Sequence, residues 1–177
     1  CLAGYDLALR VNNLEKVFDK RDELFEPPYS TFQPTKKESN VPNINTIPGD
    51  DVFCMDCRIL PCYKLDFVKS EIDKIVKEIE TQYSVKVNYE CPQAVESPAT
   101  SKDSDVVKLL SNAIKQVKGI DSKLIGIGGG TVGSFLRKVG YQCTVWGTLD
   151  ETAHQPNEYC IINNMIEDAK VLAVTML

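Results

Sequence analysis

The chain has 177 residues, of which 43% are hydrophobic and 25% are charged, and its formal net charge is −5. This length is enough for one domain or two small ones, and the composition is that of an ordinary globular protein. The acidic balance disfavours a nucleic-acid partner, whose binding surface usually carries a clustered basic patch. The sequence has neither an apolar stretch long enough to cross a bilayer nor a signal-like start, so we expect a cytoplasmic protein with no membrane partner.

The first half of the chain predicts the order helix, strand, strand, helix, strand. Leu7, Val11 and Leu14 recur at helical spacing. The predicted elements are a helix over 5–25, a strand over 29–38 with Pro34 at an edge or bulge, a strand over 52–60, a helix from an Asp66 cap to about 83, and a strand over 85–90. This order fits a ferredoxin-like βαββαβ sandwich without its first strand. Because such a sandwich leaves a sheet edge unpaired, we expect the chain to begin inside a domain.

A different pattern follows residues 91–100, a proline-containing segment that we interpret as a linker. The predicted elements after it are a helix from 103 or 104 to 117, a strand over 123–127, a helix ending at 138, a strand over 142–146 and a helix over 159–172. Alternating helices and strands indicate an α/β layer, with too few strands for a complete doubly wound sheet. The sequence therefore predicts two domains, 1–92 and 93–177.

The seven cysteines form no recognisable disulfide framework, which favours a reducing compartment. Cys54-Met-Asp-Cys57 has the spacing of a metal or redox pair, but it lies in a predicted strand. Residues three apart in a strand point to opposite faces, so both thiolates cannot bind one metal ion. We interpret them as small buried or half-buried strand residues, with a metal site as the less favoured alternative.

A glycine-rich turn, Gly126-Ile-Gly128-Gly129-Gly130-Thr131, joins a predicted strand to a predicted helix. Glycines allow the backbone to approach a ligand closely, and amides at a helix N-terminus attract an anion such as a carboxylate. A tight turn with good capping explains the same residues equally well. The spacing is neither that of a P-loop nor that of the dinucleotide-binding pattern, so a nucleotide is not favoured.

Asp56 and Arg58 share one face of the second predicted strand. They are either members of a cross-strand ion pair or an arrangement in which Arg58 presents its planar guanidinium to a substrate carboxylate. The spacing alone does not separate these two interpretations.

His154 is the one histidine of the chain and lies in a polar turn before the last predicted helix. A lone loop histidine is more often solvated than bound to a metal. Pro156 stiffens this turn, and Asn157 and Glu158 supply acceptors that can fix a ring tautomer. The residues alone leave the choice between a solvated side chain and a metal ligand open.

Four short motifs follow one another along the chain: Asn45-Thr-Ile-Pro-Gly, Asp56-x-Arg58, Gly129-Gly-Thr and Ala153-His154-x-Pro-Asn-Glu. In this order they resemble the zinc-dependent aminoacylase and peptidase family, which includes acetylornithine deacetylase, succinyl-diaminopimelate desuccinylase and the carboxypeptidase G enzymes. The resemblance implies a βαββαβ lid domain, which also mediates dimerisation, inserted in a zinc-binding α/β catalytic domain. Residues 1–92 would be the lid, incomplete at its N-terminus, and residues 93–177 the C-terminal portion of the catalytic domain.

The resemblance also implies site residues. His154 corresponds to the last ligand of a two-zinc site, which cobalt or manganese can also occupy. Asn45 corresponds to a lid residue that contacts the scissile carbonyl oxygen, and Arg58 to the lid arginine that binds the substrate carboxylate. The residues that correspond to the loop lining the substrate pocket are Gly128, Gly129, Gly130 and Thr131.

The activity implied by the resemblance is hydrolysis of an N-acyl amino acid or a peptide bond by zinc-activated water, in a homodimer assembled through the lid. The family's other zinc ligands and its general-base glutamate have no counterpart here, so we expect the isolated chain to be inactive. Val132 and Ser134 stand where many relatives have aspartate and arginine, which bears on substrate choice. The alternatives are a non-catalytic dimerisation module and a small-anion sensor built on the glycine-rich loop.

Overall fold

The computed structural model describes residues 2–38, 41–150, 152 and 155–177. The chain forms two compact units, here called the N-terminal unit and the C-terminal unit: Cys1–Glu96 with Gly126–Gly129, and Ser97–Ile125 with Gly130–Leu177. Each unit has its own hydrophobic core. Among the described helices, none combines the length and the apolar character needed to span a membrane.

Within the described residues, the N-terminal unit packs two helices against a two-stranded antiparallel sheet. Its elements in chain order are α1 (Leu2–Asn12), a 3-10 turn (Asn13–Lys16), β1 (Thr31–Lys37), β2 (Phe53–Arg58) and α2 (Leu65–Tyr83). The inward-facing residues of β2 alternate along the strand, as the predicted period of two requires.

Strands β1 and β2 pair with Thr31 opposite Arg58. The register shifts between Pro34 and Lys36. Proline has no N–H group to donate to a strand ladder, and an extra residue in one strand forms a bulge. The predicted position of Pro34 at an edge or bulge is therefore confirmed.

Phe18 and Phe32 lie at the centre of the core of the N-terminal unit, and both side chains are fully buried. The centroid of the Phe18 ring lies 5.4 Å from that of Phe32 and 4.9 Å from that of Tyr63. Phe18 and Tyr63 meet edge to face at 88°, a geometry that aromatic pairs prefer. The other buried residues of this cluster are Leu7, Val11, Leu14, Val68 and Ile79.

The first helix is shorter than predicted. The prediction ran to Phe25, whereas α1 ends at Asn12 and a short 3-10 turn continues it. Phe18 is buried although it lies beyond the helix, so apolar spacing identified a core residue but not the helix end. Further on, the Asp22 amide donates to the Pro28 carbonyl oxygen at 2.9 Å, which closes a turn before β1.

The start of α2 also differs from the prediction. The helix begins at Leu65, and the preceding residue, Lys64, makes no side-chain capping hydrogen bond. Asp66 lies in the first turn, where the positive end of the helix dipole favours a carboxylate. Asp66, which was predicted as the capping residue, is therefore the second residue of the helix.

Residues 85–90 form no strand, so the predicted third strand is wrong. The Val87 amide donates to the Glu80 carboxylate at 2.9 Å, and the Tyr89 hydroxyl donates to the Asp73 carboxylate at 2.6 Å. Side chains of α2 therefore accept hydrogen bonds from this segment. Val87 still packs against the core.

Within the described residues, the C-terminal unit contains three helices, α3 (Asp105–Lys118), α4 (Gly133–Lys138) and α5 (Ile162–Thr175). Helix α3 ends at Gly119 as predicted, and its φ of 68° lies in the left-handed region that glycine adopts without steric cost. Helices α3 and α5 pack against each other through a buried cluster consisting of Leu110, Ala113, Ile114 and Val171.

The strands predicted over 123–127 and 142–146 are absent from the part of the chain that the structure describes. Around Cys143, side chains make the hydrogen bonds instead. The Thr100 hydroxyl donates to the Cys143 carbonyl oxygen at 2.5 Å and accepts from the Cys143 amide at 3.2 Å. Arg137 donates to the same carbonyl oxygen at 3.1 Å. These contacts satisfy backbone groups that would otherwise need a neighbouring strand.

Leu7 and Leu9 provide a matched test of the core, because both lie on α1 and their exposed fractions are 9% and 62%. We expect Leu7→Ala to lower the free energy of unfolding by about 2–5 kcal/mol, since it removes buried methyl groups and leaves a cavity. Leu9→Ala should change that free energy by less than about 0.5 kcal/mol. Urea denaturation followed by circular dichroism measures both values, and equal losses would contradict the assigned core.

Candidate functional site

Arg58 is the last residue of β2, and its guanidinium group donates hydrogen bonds to two acceptors. Its Nε donates to Asp56 Oδ2 at 2.6 Å, and a terminal nitrogen donates to the Gly128 carbonyl oxygen at 2.8 Å. The Arg58 and Asp56 side chains are 53% and 47% exposed, so their ion pair contributes little to stability. The shared face is confirmed, and the ion pair lies within one strand rather than between strands.

The backbone of the glycine-rich loop has open space beside it at three glycines. A Cβ added to Gly129 would lie 4.0 Å from a guanidinium nitrogen of Arg58. At Gly128 and at Gly130, an added Cβ would meet nothing within 4 Å. The backbone there has the open space that a ligand-binding loop requires.

After the loop, Thr131 and Ser134 form the entry turn of α4. The amide and the hydroxyl of Ser134 both donate to the Thr131 carbonyl oxygen, at 3.0 and 2.7 Å, and Ser134 is buried. The Phe135 amide donates to the Val132 carbonyl oxygen at 3.1 Å. The amides of Ser134 and Phe135 are thus engaged within the turn, and Val132, the residue before α4, makes no side-chain capping hydrogen bond.

Asn45 lies in the exposed loop before β2. Its backbone amide donates to Asn43 Oδ1 at 3.0 Å, which is a local turn contact. Among the described residues, no hydrogen bond links Asn45 to Arg58. The predicted role of Asn45 at a scissile carbonyl therefore stays a prediction.

His154 and Ala153 lie outside the described residues, so the predicted metal-ligand role of His154 also stays a prediction. Next to them, the Gln155 amide donates to the Thr152 carbonyl oxygen at 3.1 Å. Asn157 has a φ of 63°, a left-handed conformation in which asparagine is common among non-glycine residues.

A polar cluster that the sequence did not reveal joins α5, α3 and residues 146–148. Asp168 accepts hydrogen bonds from the Trp146 indole at 3.1 Å, the Thr148 amide at 2.6 Å and the Thr148 hydroxyl at 2.7 Å. Lys118 Nζ lies 3.7 Å from the Asp168 carboxylate and donates to the Thr148 hydroxyl oxygen at 2.8 Å. A carboxylate on an amphipathic helix is typical of a solvated face, so Asp168 could not be singled out from the sequence.

Burial raises the pKa of the Asp168 carboxyl group, but hydrogen bonds from Thr148 and the charge of Lys118 outweigh it and hold that pKa below its ordinary value. The group is therefore charged at neutral pH. Because its pKa is lowered on folding, its stabilisation is present above about pH 4 and is lost as the pH falls through the folded pKa.

Cys54 and Cys57 lie on opposite faces of β2, as predicted. Cys57 packs against the core, and its burial, followed by the nearby Asp56 and Cys91, raises the pKa of its thiol to about 11. Cys54 is exposed, which corrects the expectation that both residues are buried or half-buried. Because the Cys54 and Cys57 thiols lie on opposite faces of β2, they do not form one metal site.

The described residues hold no group of three histidine, cysteine, aspartate or glutamate side chains that could bind a metal ion. Catalytic zinc sites typically use three protein ligands. His154 is the one histidine of the sequence and lies outside the described residues. The described residues do not by themselves fit the zinc site that the family resemblance implies.

The sequence pattern of peptidase family M20/M25/M40 matches residues 10–177. The chain belongs to this family. The resemblance to the zinc-dependent aminoacylases and peptidases is thereby confirmed, and the match extends over both units.

The chain is 41% identical over 169 residues to an uncharacterized metallohydrolase of Methanocaldococcus jannaschii, covering 90% of this chain and 41% of that protein. It is 26% identical over 153 residues to a succinyl-diaminopimelate desuccinylase of Polynucleobacter necessarius, covering 86% and 38%. The structure of an M20 family metallo-carboxypeptidase from Sulfolobus solfataricus is similar, with a TM-score of 0.67 and 20% identity, covering 96% of this chain and 43% of that one. This likeness confirms the α/β fold class, and the chain spans about two fifths of the length of these relatives.

Cys54 and Cys57 should react with iodoacetamide at different rates at pH 8. The thiolate is the reacting species, and the raised pKa of Cys57 leaves only about 0.1% of that thiol ionised at this pH. We expect Cys54 to be alkylated at least about tenfold faster in the folded chain. Peptide mapping by mass spectrometry measures both rates. In urea the rates should converge, and equal rates in the folded chain would contradict the burial of Cys57.

Proposed function

We propose that the protein containing these residues is a zinc-dependent hydrolase that removes the acyl group from an N-acyl amino acid, with a short peptide as the alternative substrate. Family membership over residues 10–177 supports a hydrolase, and the similarity to a succinyl-diaminopimelate desuccinylase supports deacylation. The observation that carries the proposal is the Arg58 guanidinium against the Gly128 carbonyl oxygen. This contact puts a cation beside the loop that the resemblance assigns to the substrate pocket.

Arg58 is suited to binding a substrate carboxylate. Its guanidinium is planar, permanently charged and carries five N–H donors. Asp56 accepts from Nε at 2.6 Å and so holds the group in the orientation that faces Gly128. A substrate carboxylate is a stronger acceptor than the neutral Gly128 carbonyl, because its hydrogen bonds are charge-assisted. Arg58 would thereby anchor the substrate by its carboxylate.

Asn45 acts at the scissile bond of the substrate in this proposal. The Asn45 side-chain amide donates to the scissile carbonyl oxygen and stabilises the negative charge that develops there. We propose that Gly128, Gly129, Gly130 and Thr131 contact the substrate, and an added Cβ would meet nothing within 4 Å at Gly128 or at Gly130.

His154 is proposed as one zinc ligand, with cobalt or manganese as alternative metals. Since one imidazole does not hold a catalytic zinc ion, we propose that the remaining ligands lie on polypeptide outside the 177 residues. We also propose a homodimer assembled through the N-terminal unit. The described cysteines are free thiols, which supports a cytoplasmic location.

The proposal predicts no deacylase activity for the 177-residue chain and zinc-dependent activity for a version extended to the length of its relatives. In the extended protein, Arg58→Ala should raise KM for an N-acyl amino acid by about tenfold to a hundredfold, the loss expected when charge-assisted hydrogen bonds are removed. Steady-state kinetics with zinc present measures both quantities.

Two controls isolate the carboxylate contact. The carboxamide of the same substrate lacks the carboxylate, so Arg58→Ala should change its KM by less than about twofold. Arg21→Ala is the matched control variant and should leave KM unchanged. Arg21 is an exposed arginine of the same unit that pairs with Glu23. Equal KM increases for acid and carboxamide, or robust zinc-dependent activity of the 177-residue chain alone, would contradict the proposal.

A further inference from the structure

Gly126, the first glycine of the glycine-rich turn, lies against the aromatic ring of Phe25. A Cβ added to Gly126 would lie 2.5–2.7 Å from three carbon atoms of that ring. Nonbonded carbon atoms prefer separations of about 3.5–4.0 Å, so a larger side chain has no room here. Gly126 does not have the positive φ found at Gly119 and Gly140. The position therefore needs glycine for space rather than for its backbone conformation.

Two hydrogen bonds hold residues 126–129, here called the glycine segment, against the rest of the N-terminal unit. The Gly126 amide donates to the Leu24 carbonyl oxygen at 2.6 Å. Two residues further on, the Gly128 carbonyl oxygen accepts from Arg58 at 2.8 Å. The Leu24 contact and the Phe25 ring therefore fix the start of the segment whose next part meets the guanidinium.

The turn that carries Leu24 and Phe25 is closed by hydrogen bonds to one residue, Asp22. The Asp22 amide donates to the Pro28 carbonyl oxygen at 2.9 Å. The Leu24 amide donates to the Asp22 carboxylate at 3.0 Å, and the Phe25 amide donates to the Asp22 carbonyl oxygen at 3.1 Å. Because these bonds fix the backbone on both sides, the turn presents the Leu24 carbonyl and the Phe25 ring as one ordered surface.

Phe25 is half-buried, and it does not belong to the hydrophobic cluster around Phe18. Its ring instead covers the backbone of Gly126. A side chain in this place shields the hydrogen bond that the Gly126 amide makes, since burial keeps water from competing for the donor. The packing of Phe25 is therefore directed at the glycine segment and not at the core.

We propose that Phe25 is a positioning residue, whose ring sets the path of the glycine segment and thereby holds the Gly128 carbonyl oxygen against the Arg58 guanidinium. The inference rests on the proposed function in one respect, namely that Arg58 binds a substrate carboxylate. The contact between Phe25 and Gly126 depends on neither a substrate nor a metal. Phe25 acts through Arg58 and does not itself touch the substrate.

Hydrogen exchange in the 177-residue chain tests the contact first. In Phe25→Ala, the Gly126 amide should exchange at least about tenfold faster with solvent, while amides of α2 change by less than about twofold. Leu24→Ala is the matched control, because Leu24 is 48% exposed and accepts through its backbone carbonyl, which this substitution keeps. It should leave the exchange of Gly126 unchanged. Unchanged exchange in Phe25→Ala would overturn the proposal.

The chemical shift of the Gly128 carbonyl carbon reports the contact with Arg58. Arg58→Ala removes the donor, so it gives the shift of the carbonyl without this hydrogen bond. Phe25→Ala should move the Gly128 signal towards that value, whereas a ring that only packs would leave the signal in place. A Gly128 signal that stays at its original position in Phe25→Ala would therefore contradict the positioning role.

A rescue experiment shows whether the ring acts through Gly126. Gly126→Ala adds the methyl group that the ring excludes and should move the Gly128 signal in the same direction. In the Phe25→Ala background this space is free, so adding Gly126→Ala should change the signal by a smaller amount. Gly49→Ala is the control, because an added Cβ there meets nothing within 4 Å. Equal effects of Gly126→Ala in both backgrounds would overturn the proposal.

Kinetics separates this inference from the proposed function. In the protein extended to the length of its relatives, Phe25→Ala should raise KM for an N-acyl amino acid by about threefold to tenfold, because the charge of Arg58 remains and only its placement is lost. The kcat, and the KM for the carboxamide, should each change by less than about twofold.

The two failures are distinguishable. If Arg58→Ala leaves KM for the acid unchanged, the proposed function fails, and exchange and the Gly128 signal still decide whether Phe25 holds the glycine segment. If Arg58→Ala raises that KM and Phe25→Ala does not, the positioning role of Phe25 is overturned.

Discussion

The hydrogen bonds and the ion pair of the Asp168 carboxylate join residues 146–148 and α3 to α5 in the C-terminal unit. Asp168 sits on α5 one turn before Val171, which is fully buried against α3. A partly buried carboxylate is tolerated when donors surround it, and Trp146, Thr148 and Lys118 supply them here. Since the described residues of this unit contain no strand ladder, residues from distant parts of the sequence are joined by the Asp168 side chain, by the helix core and by the hydrogen bonds between Thr100 and Cys143.

In the N-terminal unit, the aromatic core sets the direction of the candidate substrate-binding residues. Met55 and Cys57 pack inward on the cluster around Phe18, so Asp56 and Arg58 point away from it. A slip of one residue in β2 would reverse the two faces and bury the guanidinium. The contact between the arginine and the glycine-rich loop is therefore a consequence of core packing as much as of charge.

The helices were largely predictable, because apolar spacing and glycine signals are local: Gly119 ends α3, and the last helix lies within three residues of its predicted bounds. The strands predicted over 85–90, 123–127 and 142–146 failed, because a ladder needs a neighbour that alternation within one segment does not identify. The shared face of Asp56 and Arg58 could be predicted, because side chains alternate between the two faces of a strand. The role of Asp168 could not be predicted, because its partners lie far from it in sequence and only the fold brings them together.

In the proposed function, His154 supplies a metal ligand to a hydrolase of the M20/M25/M40 family. Anomalous diffraction at the zinc edge, from crystals of the protein extended to the length of its relatives and grown with zinc, tests this most directly. We predict a zinc peak about 2.0–2.1 Å from a ring nitrogen of His154. A bound zinc ion with the His154 side chain in solvent would contradict the claim.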